Sequence, residues 1–587
     1  MDNLVSERLL PAVTKPAQYV GLEANARRKD PRSAELSVAM AFPDAYAIGI
    51  SHLGSQVLYA LLNSLDGVAC DRTYCPHPDA ERVMRERGVP LFAWESRCAV
   101  RDFDVLGFSL AYELCATNVL TMLDLAGVPL HAADRGDGDP LVVGGDALAD
   151  SPEPLADFLD AFLPGDGERT LPPFVELVRQ MKRDGASRED VLLAAAKTLP
   201  HVYAPRFYEP TGGDGLAVPR PARDDVPNVI DRAHIDTLSE SPVLTAPLVP
   251  VAEGVHERVV IEIMRGCPNG CRFCQAGHTR LPVRMRSVEE IVAAAIAGVE
   301  ATGFDEVSLL SLSSSDYPKL DELIERLSAE LTPRRVSISL PSLRVGTQLK
   351  HLPKLTSEVR KGGLTIAPEA GSERLRRALR KNITEDDMFA GVRAAYEAGW
   401  RKVKLYFMAG LPGETNADIE AIADLCRRLS AAGKDIVGQP GAINASVSWF
   451  VPKPHTPMQW CAAAEPERLL EIRRRLRDLS RRSAVNFRFH WVERSLLEAV
   501  IARGDRRIGE VIEAAWRAGA RMDAWNEHFD YARWQAAFEQ TGLDPESLSC
   551  RELPLDTPLP WSHIRCRRGV EQLRTEHEQM RDALGQP

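Results

Sequence analysis

The side chains best suited to chemistry are three cysteines in Arg265-Gly-Cys267-Pro-Asn-Gly-Cys271-Arg-Phe-Cys274, spaced C-x3-C-x2-C. Glycine and proline shape a loop that can turn three thiolates toward one point, and soft thiolates suit an iron–sulfur cluster or zinc. A [4Fe–4S] cluster with only three protein ligands keeps one iron open to bind and polarise a substrate or cofactor. A closed four-ligand zinc site does not. The rival reading is a zinc loop with a distant fourth ligand such as His278. The loop's place, directly after an apolar strand that opens an α/β array, favours the cluster. The other cysteines (70, 75, 98, 115, 426, 461, 550 and 566) show no comparable ligand spacing and read mostly as small buried hydrophobes. Cys461 and Cys566 stay open as active-site thiols.

Two alternating arrays must position these groups. The first has strand candidates at LSVAMAFP (from Leu36), DVLGFSL (104–110) and PLVVGG (140–145), with the amphipathic helix ATNVLTMLDLAG between the last two. Such alternation predicts a parallel sheet. The second has six candidates: RVVIEIM, EVSLLSL, RVSISL, GLTIAP, KVKLYFMAG and INASVSWFV. Six strands suit a partial α/β barrel better than a closed eight-stranded one. The expected organisation is an N-terminal arm (1–35), a Rossmann-like unit (36–204), a proline-rich linker (205–255), the barrel (256–465) and a mainly helical C-terminal region (466–587).

The 587 residues carry 72 basic and 83 acidic side chains, a net charge of −11, so bulk charge does not coat nucleic acid. A local basic surface remains open. With no apolar run long enough to span a bilayer and no signal pattern at MDNLVSERLLPAV, a cytoplasmic protein without membrane contact is expected.

CPNGCRFC resembles the signature of radical S-adenosylmethionine (SAM) enzymes, and Phe273 matches the aromatic that usually precedes the last cysteine. The resemblance implies that Cys267, Cys271 and Cys274 hold a [4Fe–4S] cluster whose open iron chelates SAM. Reductive cleavage to a 5′-deoxyadenosyl radical and hydrogen abstraction follow, with a flavodoxin- or ferredoxin-type protein as electron donor. It also implies SAM contacts at the ends of later strands. Ser311-Leu-Ser-Ser-Ser-Asp316 stands where Gly-Gly-Glu is usual and offers Ser313 and Ser314. Arg344 is a candidate for the SAM carboxylate. Glu369 and Ser372 lie in the segment resembling the ribose contact, and Gly410 and Leu411 in the stretch resembling the adenine contact. Each has turn chemistry at a strand end as its plain alternative.

In the first array, Asp44-Ala-Tyr46-Ala-Ile-Gly49 resembles the Asp-x-His-x-x-Gly of cobalamin-binding domains, with Tyr46 at the position of the cobalt-ligating histidine. The resemblance implies a corrinoid bound without that ligand, or through water or another residue such as His52. Ser109, Gly144 and Gly145 resemble the segments beside the buried nucleotide tail, and Gly165-Asp-Gly-Glu168 the stretch that closes such domains. Together the arrays resemble an uncharacterised family of radical SAM proteins with an N-terminal cobalamin-binding domain.

Val451-Pro-Lys-Pro-His455-Thr-Pro457-Met-Gln-Trp460 resembles a stretch of radical SAM methylthiotransferases that modify transfer RNA, making RNA a candidate substrate and His455 and Trp460 candidate contacts. Downstream, arginines interleave with Phe487, Phe489 and Trp491. A solvated helix face with the aromatics in the core is favoured over a nucleic-acid surface. The first expectation is therefore a cobalamin-dependent radical SAM enzyme with methyl transfer to an unactivated carbon. The alternatives are a methylthiotransferase-like RNA-modifying enzyme with a vestigial cobalamin domain, and a non-enzymatic iron–sulfur or cobalamin sensor.

Overall fold

The computed structural model describes residues 2–212, 216–340, 364–397, 400, 402–481 and 483–586. The first array forms a five-stranded sheet of β1 (Leu36–Phe42), β2 (Val68–Tyr74), β3 (Val105–Ser109), β4 (Leu141–Gly145) and β5 (Ala161–Leu163), in the order β2-β1-β3-β4-β5. Every pairing is parallel. Helices α1 (Leu53–Ser64), α2 (Ala116–Ala126) and α3 (Gly167–Arg183) pack around it. Sandwiched on both faces, β1 is buried at every residue, which is why it reads as an unbroken apolar run. The strand order reverses between β1 and β3, so the crevice for a ligand lies beyond the carboxyl ends of those strands.

Strand β2 carries Asp71 and Arg72 yet is fully buried. Arg72 donates to Glu23 at 3.2 Å and pairs with Glu95, so its burial is compensated by carboxylates remote in sequence.

The second array forms two parallel arcs. One contains β6 (Val259–Glu262), β7 (Glu306–Leu310) and β8 (Ser337–Ser339), and the other β9 (Leu364–Glu369), β10 (Lys402–Ala409), β11 (Ala442–Trp449) and β12 (Val485–Phe489). The six expected strands are present. A seventh, β12, follows helix α4 (Pro466–Leu479), so the alternation runs one unit further than the sequence suggested. Along β11, Ile443, Ala445, Val447 and Trp449 are buried outward under the helices, while Asn444, Ser446 and Ser448 face the interior.

The C-terminal helices do not stand apart. Leu497, Val500, Ile512, Trp516 and Trp534 join the core of the first sheet, and Trp516 Nε1 donates to Thr121 Oγ1 at 3.0 Å. The last helix, α5 (Val570–Leu584), instead places Met580 and Leu584 against Leu375, Ala378 and Leu411 of the barrel.

Candidate active site between the two arrays

The cysteine loop leaves β6 through Met264 and Arg265 and turns at Gly266, whose φ is +85°. A Cβ there would stand 2.8 Å from the carbonyls of Arg280 and Pro282, so the turn requires glycine. All three thiols are half-buried and unbridged. Asn269 Nδ2 donates to Cys267 Sγ at 3.3 Å and to Asp316 at 2.7 Å, and Ser313 Oγ donates to the same carboxylate at 2.6 Å. The end of β7 is thereby tied to the loop. Ser314 is buried and shares a hydrogen bond with Ser311.

Burial and the neighbouring thiols push the Cys274 thiol up to about 11, so in the metal-free chain it is protonated and metal binding must displace that proton. Glu369 contributes to the same upward shift, placing the end of β9 beside the loop. Glu369 itself has a φ of +68° and pairs with Lys381 at 3.1 Å.

His278 is not a fourth ligand. Fully buried, it bonds the Cys271 carbonyl through Nε2 at 3.1 Å and takes a hydrogen bond from Arg568 at Nδ1, 3.1 Å away. Burial and Arg568 lower its pKa to about 4, so it is a neutral structural imidazole. Among the described residues no group of three or more His, Cys, Asp or Glu side chains is drawn together tightly enough to hold a metal ion, the three cysteines included. It is the donor chemistry, three soft thiols and no fourth protein ligand, that fits a cluster with an open iron.

Other expected residues divide. Phe273 and Leu411 pack together with Ala370 beside the loop. Gly410 donates its N–H to Glu414 at 2.7 Å. Ser372 serves as the N-cap of a short helix, accepting from Leu375 N and donating to Asp418, so turn chemistry accounts for it. Arg344 lies outside the described residues.

Loss of solvent pushes the carboxyl of half-buried Glu414 up to about 8. It holds a proton in the folded chain that it releases on unfolding, so stability falls as pH rises from roughly the ordinary carboxylate range to about 8. Glu414→Gln should flatten that dependence, as read from denaturation midpoints at mildly acidic and mildly alkaline pH.

Between the arrays lies a cavity of about 410 Å3. Its inner part is an apolar slot between the sheet (Val38, Val105, Gly107, Val143) and helices α1 and α3 (Val57, Leu58, Val175), with Ser109, Gly144 and Gly145 at the strand ends. Its outer wall belongs to the barrel: Glu262, Arg265, Gly266, Ala276 and Arg280. An apolar slot with glycines on its strands and polar groups at its mouth fits a corrinoid with its nucleotide tail inserted.

Asp44, Tyr46 and Gly49 do not line this cavity. Asp44 is buried, accepting from Trp525 Nε1 at 2.8 Å and from Tyr112. Tyr46 donates to Glu23 at 2.9 Å and packs edge-on against Tyr74, a ring that also fills the space beside Gly49. The histidine at the cavity is His52, whose Nδ1 accepts from Ser55 N and whose Nε2 lies 3.9 Å from Asp146. Asp146, with a φ of +73°, pairs with Arg280 across the cavity mouth. Sequence reading missed that pair, whose members stand 134 residues apart. Arg265 is clamped by Glu168 at 2.8 Å and Glu262 at 2.8 Å, with Asp166 at 3.4 Å. The Gly165–Glu168 stretch therefore grips the strand end from which the cysteine loop departs.

His455 and Trp460 are buried structural residues rather than substrate contacts. His455 bonds the Asp150 carbonyl at 2.6 Å, and Trp460 packs edge-on against His577.

Residues 261–426 match the radical SAM superfamily, and residues 54–205 the N-terminal region of radical SAM proteins. This chain is a radical SAM protein. An uncharacterised protein of Methanocaldococcus jannaschii is 25% identical over 512 residues, covering 86% of this radical SAM chain and 97% of the relative. A tRNA-2-methylthio-N(6)-dimethylallyladenosine synthase of Sorangium cellulosum is 31% identical over 196 residues, covering 30% of this chain and 39% of that enzyme. Among solved structures, the radical SAM methyltransferase TsrM of Kitasatospora setae, with cobalamin and a [4Fe-4S] cluster bound, superposes with a TM-score of 0.50. It is 15% identical and covers 93% of this chain and 99% of its own, a likeness of fold. Among the described residues no helix is long and apolar enough to cross a membrane.

Proposed function

We propose that this radical SAM enzyme is cobalamin-dependent and transfers a methyl group to an unactivated carbon of its substrate. The observation that carries the reading is the shared cavity, whose inner wall is the first sheet and whose outer wall includes the strand end and turn that launch the cysteine loop. When bound, the cluster supplies the electron that cleaves SAM reductively, and cobalamin supplies the methyl-carrying cobalt.

The chain's own part is placement. Cys267, Cys271 and Cys274 would hold the cluster, with Asn269 orienting Cys267 through its hydrogen bond. Ser313, Glu369 and the Phe273–Leu411 pair would border SAM. Arg265, held by three carboxylates, fixes the loop relative to the first sheet at the shared wall. Tyr46, bonded to Glu23, is not available as a ligand.

A second reading has one specific observation behind it, the 31% identity over 196 residues to a tRNA-2-methylthio-N(6)-dimethylallyladenosine synthase. In that reading RNA is the substrate and the corrinoid site is vestigial. Anaerobic reconstitution with iron, sulfide and cobalamin separates the two. Methyl transfer predicts one cluster, one corrinoid and reductant-dependent 5′-deoxyadenosine in the same preparation. A cluster and cleavage without corrinoid defeats it in favour of the second reading, and cofactors without cleavage leave only a sensor.

A further inference from the structure

The barrel's second arc carries a feature that cofactor binding does not use. Its outward side chains are packed under helices, while inward Lys402, Lys404 and Arg488 are exposed, as is Tyr406 at 45%. The register sets Lys404, Asn444 and Asn486 in one row across β10, β11 and β12, and Tyr406, Ser446 and Arg488 in the next inward row. Among the described residues none of these three cations has an ion pair. Glu369, at the end of β9, is already paired with Lys381. In a chain of net charge −11 this is an uncompensated positive strip.

The strip continues around the free edge of β12. A groove of about 570 Å3 there is lined by Arg473 and Arg477 of α4, by Arg488 and His490, and by the rings of Phe487, Phe489 and Trp491, with Glu493 as its carboxylate. Phe487 and Phe489 stack with centroids 6.1 Å apart, and Arg477 lies over Phe489 at 5.5 Å. Trp491 is 45% exposed, with Arg494 over its ring at 5.1 Å. Cations unpaired with carboxylates, set beside the exposed ring of Trp491 just past β12 and backed by the half-buried Phe487 and Phe489, match what an unpaired nucleic-acid strand needs: charge for phosphates and a flat face for a base.

We infer that single-stranded RNA is the substrate class, with bases on the β12 edge and phosphates drawn along Arg473, Arg477, Arg488, Lys404 and Lys402 into the barrel. The choice of RNA over DNA rests on the RNA-modifying reading, whereas the strand-binding surface stands on the geometry alone. The surface is independent of cobalamin, so a methyl-transferring enzyme would use it equally.

The test is fluorescence anisotropy of the full-length reconstituted protein with an unstructured RNA 12-mer across a salt series. Wild type should bind, and Lys402→Gln/Lys404→Gln/Arg488→Gln should weaken binding at least tenfold. Each lost phosphate contact should flatten the salt slope by about 0.7, roughly two units in all. Trp491→Ala should weaken binding roughly tenfold with an unchanged slope. Arg473→Gln/Arg477→Gln, on the solvent side of α4, gives an independent measurement if the triple variant does not fold. Absence of binding, binding unchanged in both charge variants, or equal displacement by inorganic polyphosphate overturns the proposal, and equal affinity for DNA of the same sequence overturns RNA as the occupant. Measuring 5′-deoxyadenosine in the same preparation reports on the radical SAM assignment separately.

Discussion

Cys267→Ala/Cys271→Ala, reconstituted anaerobically beside wild type, should retain no [4Fe–4S] cluster and form no reductant-dependent 5′-deoxyadenosine above background. Two of three thiolates are gone, and no neighbour replaces them: His278 is committed at both nitrogens, and Asp316 is held by Asn269 and Ser313. The loss should exceed the roughly 10–100-fold in metal affinity that removing an outer partner costs. Asn269→Ala supplies that comparison, since it removes the donor to Cys267 Sγ while keeping all three thiols. Because the loop is half-buried and its turn is set by Gly266, the double variant should fold, as unchanged far-ultraviolet circular dichroism would show. Bound iron at wild-type stoichiometry together with SAM cleavage would remove the triad from the active site.

The parts of this site legible in sequence were those encoded locally. A cysteine loop between an apolar strand and a helix announces itself within ten residues, and the six barrel strands are short apolar or alternating runs bounded by turns. Three strands escaped: β5 is only three residues long, too short for a pattern, and the other two escaped for opposite reasons. Strand β2 contains Asp71 and Arg72, which look like solvent until Glu23 and Glu95 arrive from elsewhere in the chain. Strand β12 has a clean two-residue alternation, but it sits among arginines whose density suggested a helix. The Asp44–Gly49 motif was recognisable, yet its side chains are taken by Glu23, Tyr74 and Trp525. No local pattern announces a partner 481 residues away. Likewise His455 and Trp460 stand in a recognisable stretch, but packing against Asp150 and His577 decides their role. Local pattern reported element type and the cysteine donors, and only tertiary contacts reported which other side chains face a cavity.

Gly107→Leu should abolish corrinoid binding while leaving the iron cluster in place. Gly107 lies in β3 and lines the apolar slot; a Cβ built there meets only Val143 Cγ2, at 3.8 Å. The backbone therefore tolerates a side chain, and a leucine would extend into the space that a nucleotide tail needs. Gly144 is a poorer choice, because a Cβ there would come within 2.6 Å of Leu110 and Leu159 and disturb the core itself. Filling the slot with leucine adds apolar contact inside the sheet unit, so the thermal midpoint should hold or rise. Corrinoid stoichiometry, read from the visible spectrum after desalting, should fall from one per chain to near zero, with iron content unchanged. If SAM cleavage survives but the methylated product is lost, cobalamin carries the transferred methyl group and the cysteine loop works without it. A wild-type corrinoid content in Gly107→Leu would show that the slot is ordinary core packing and that the cofactor, if bound, sits elsewhere.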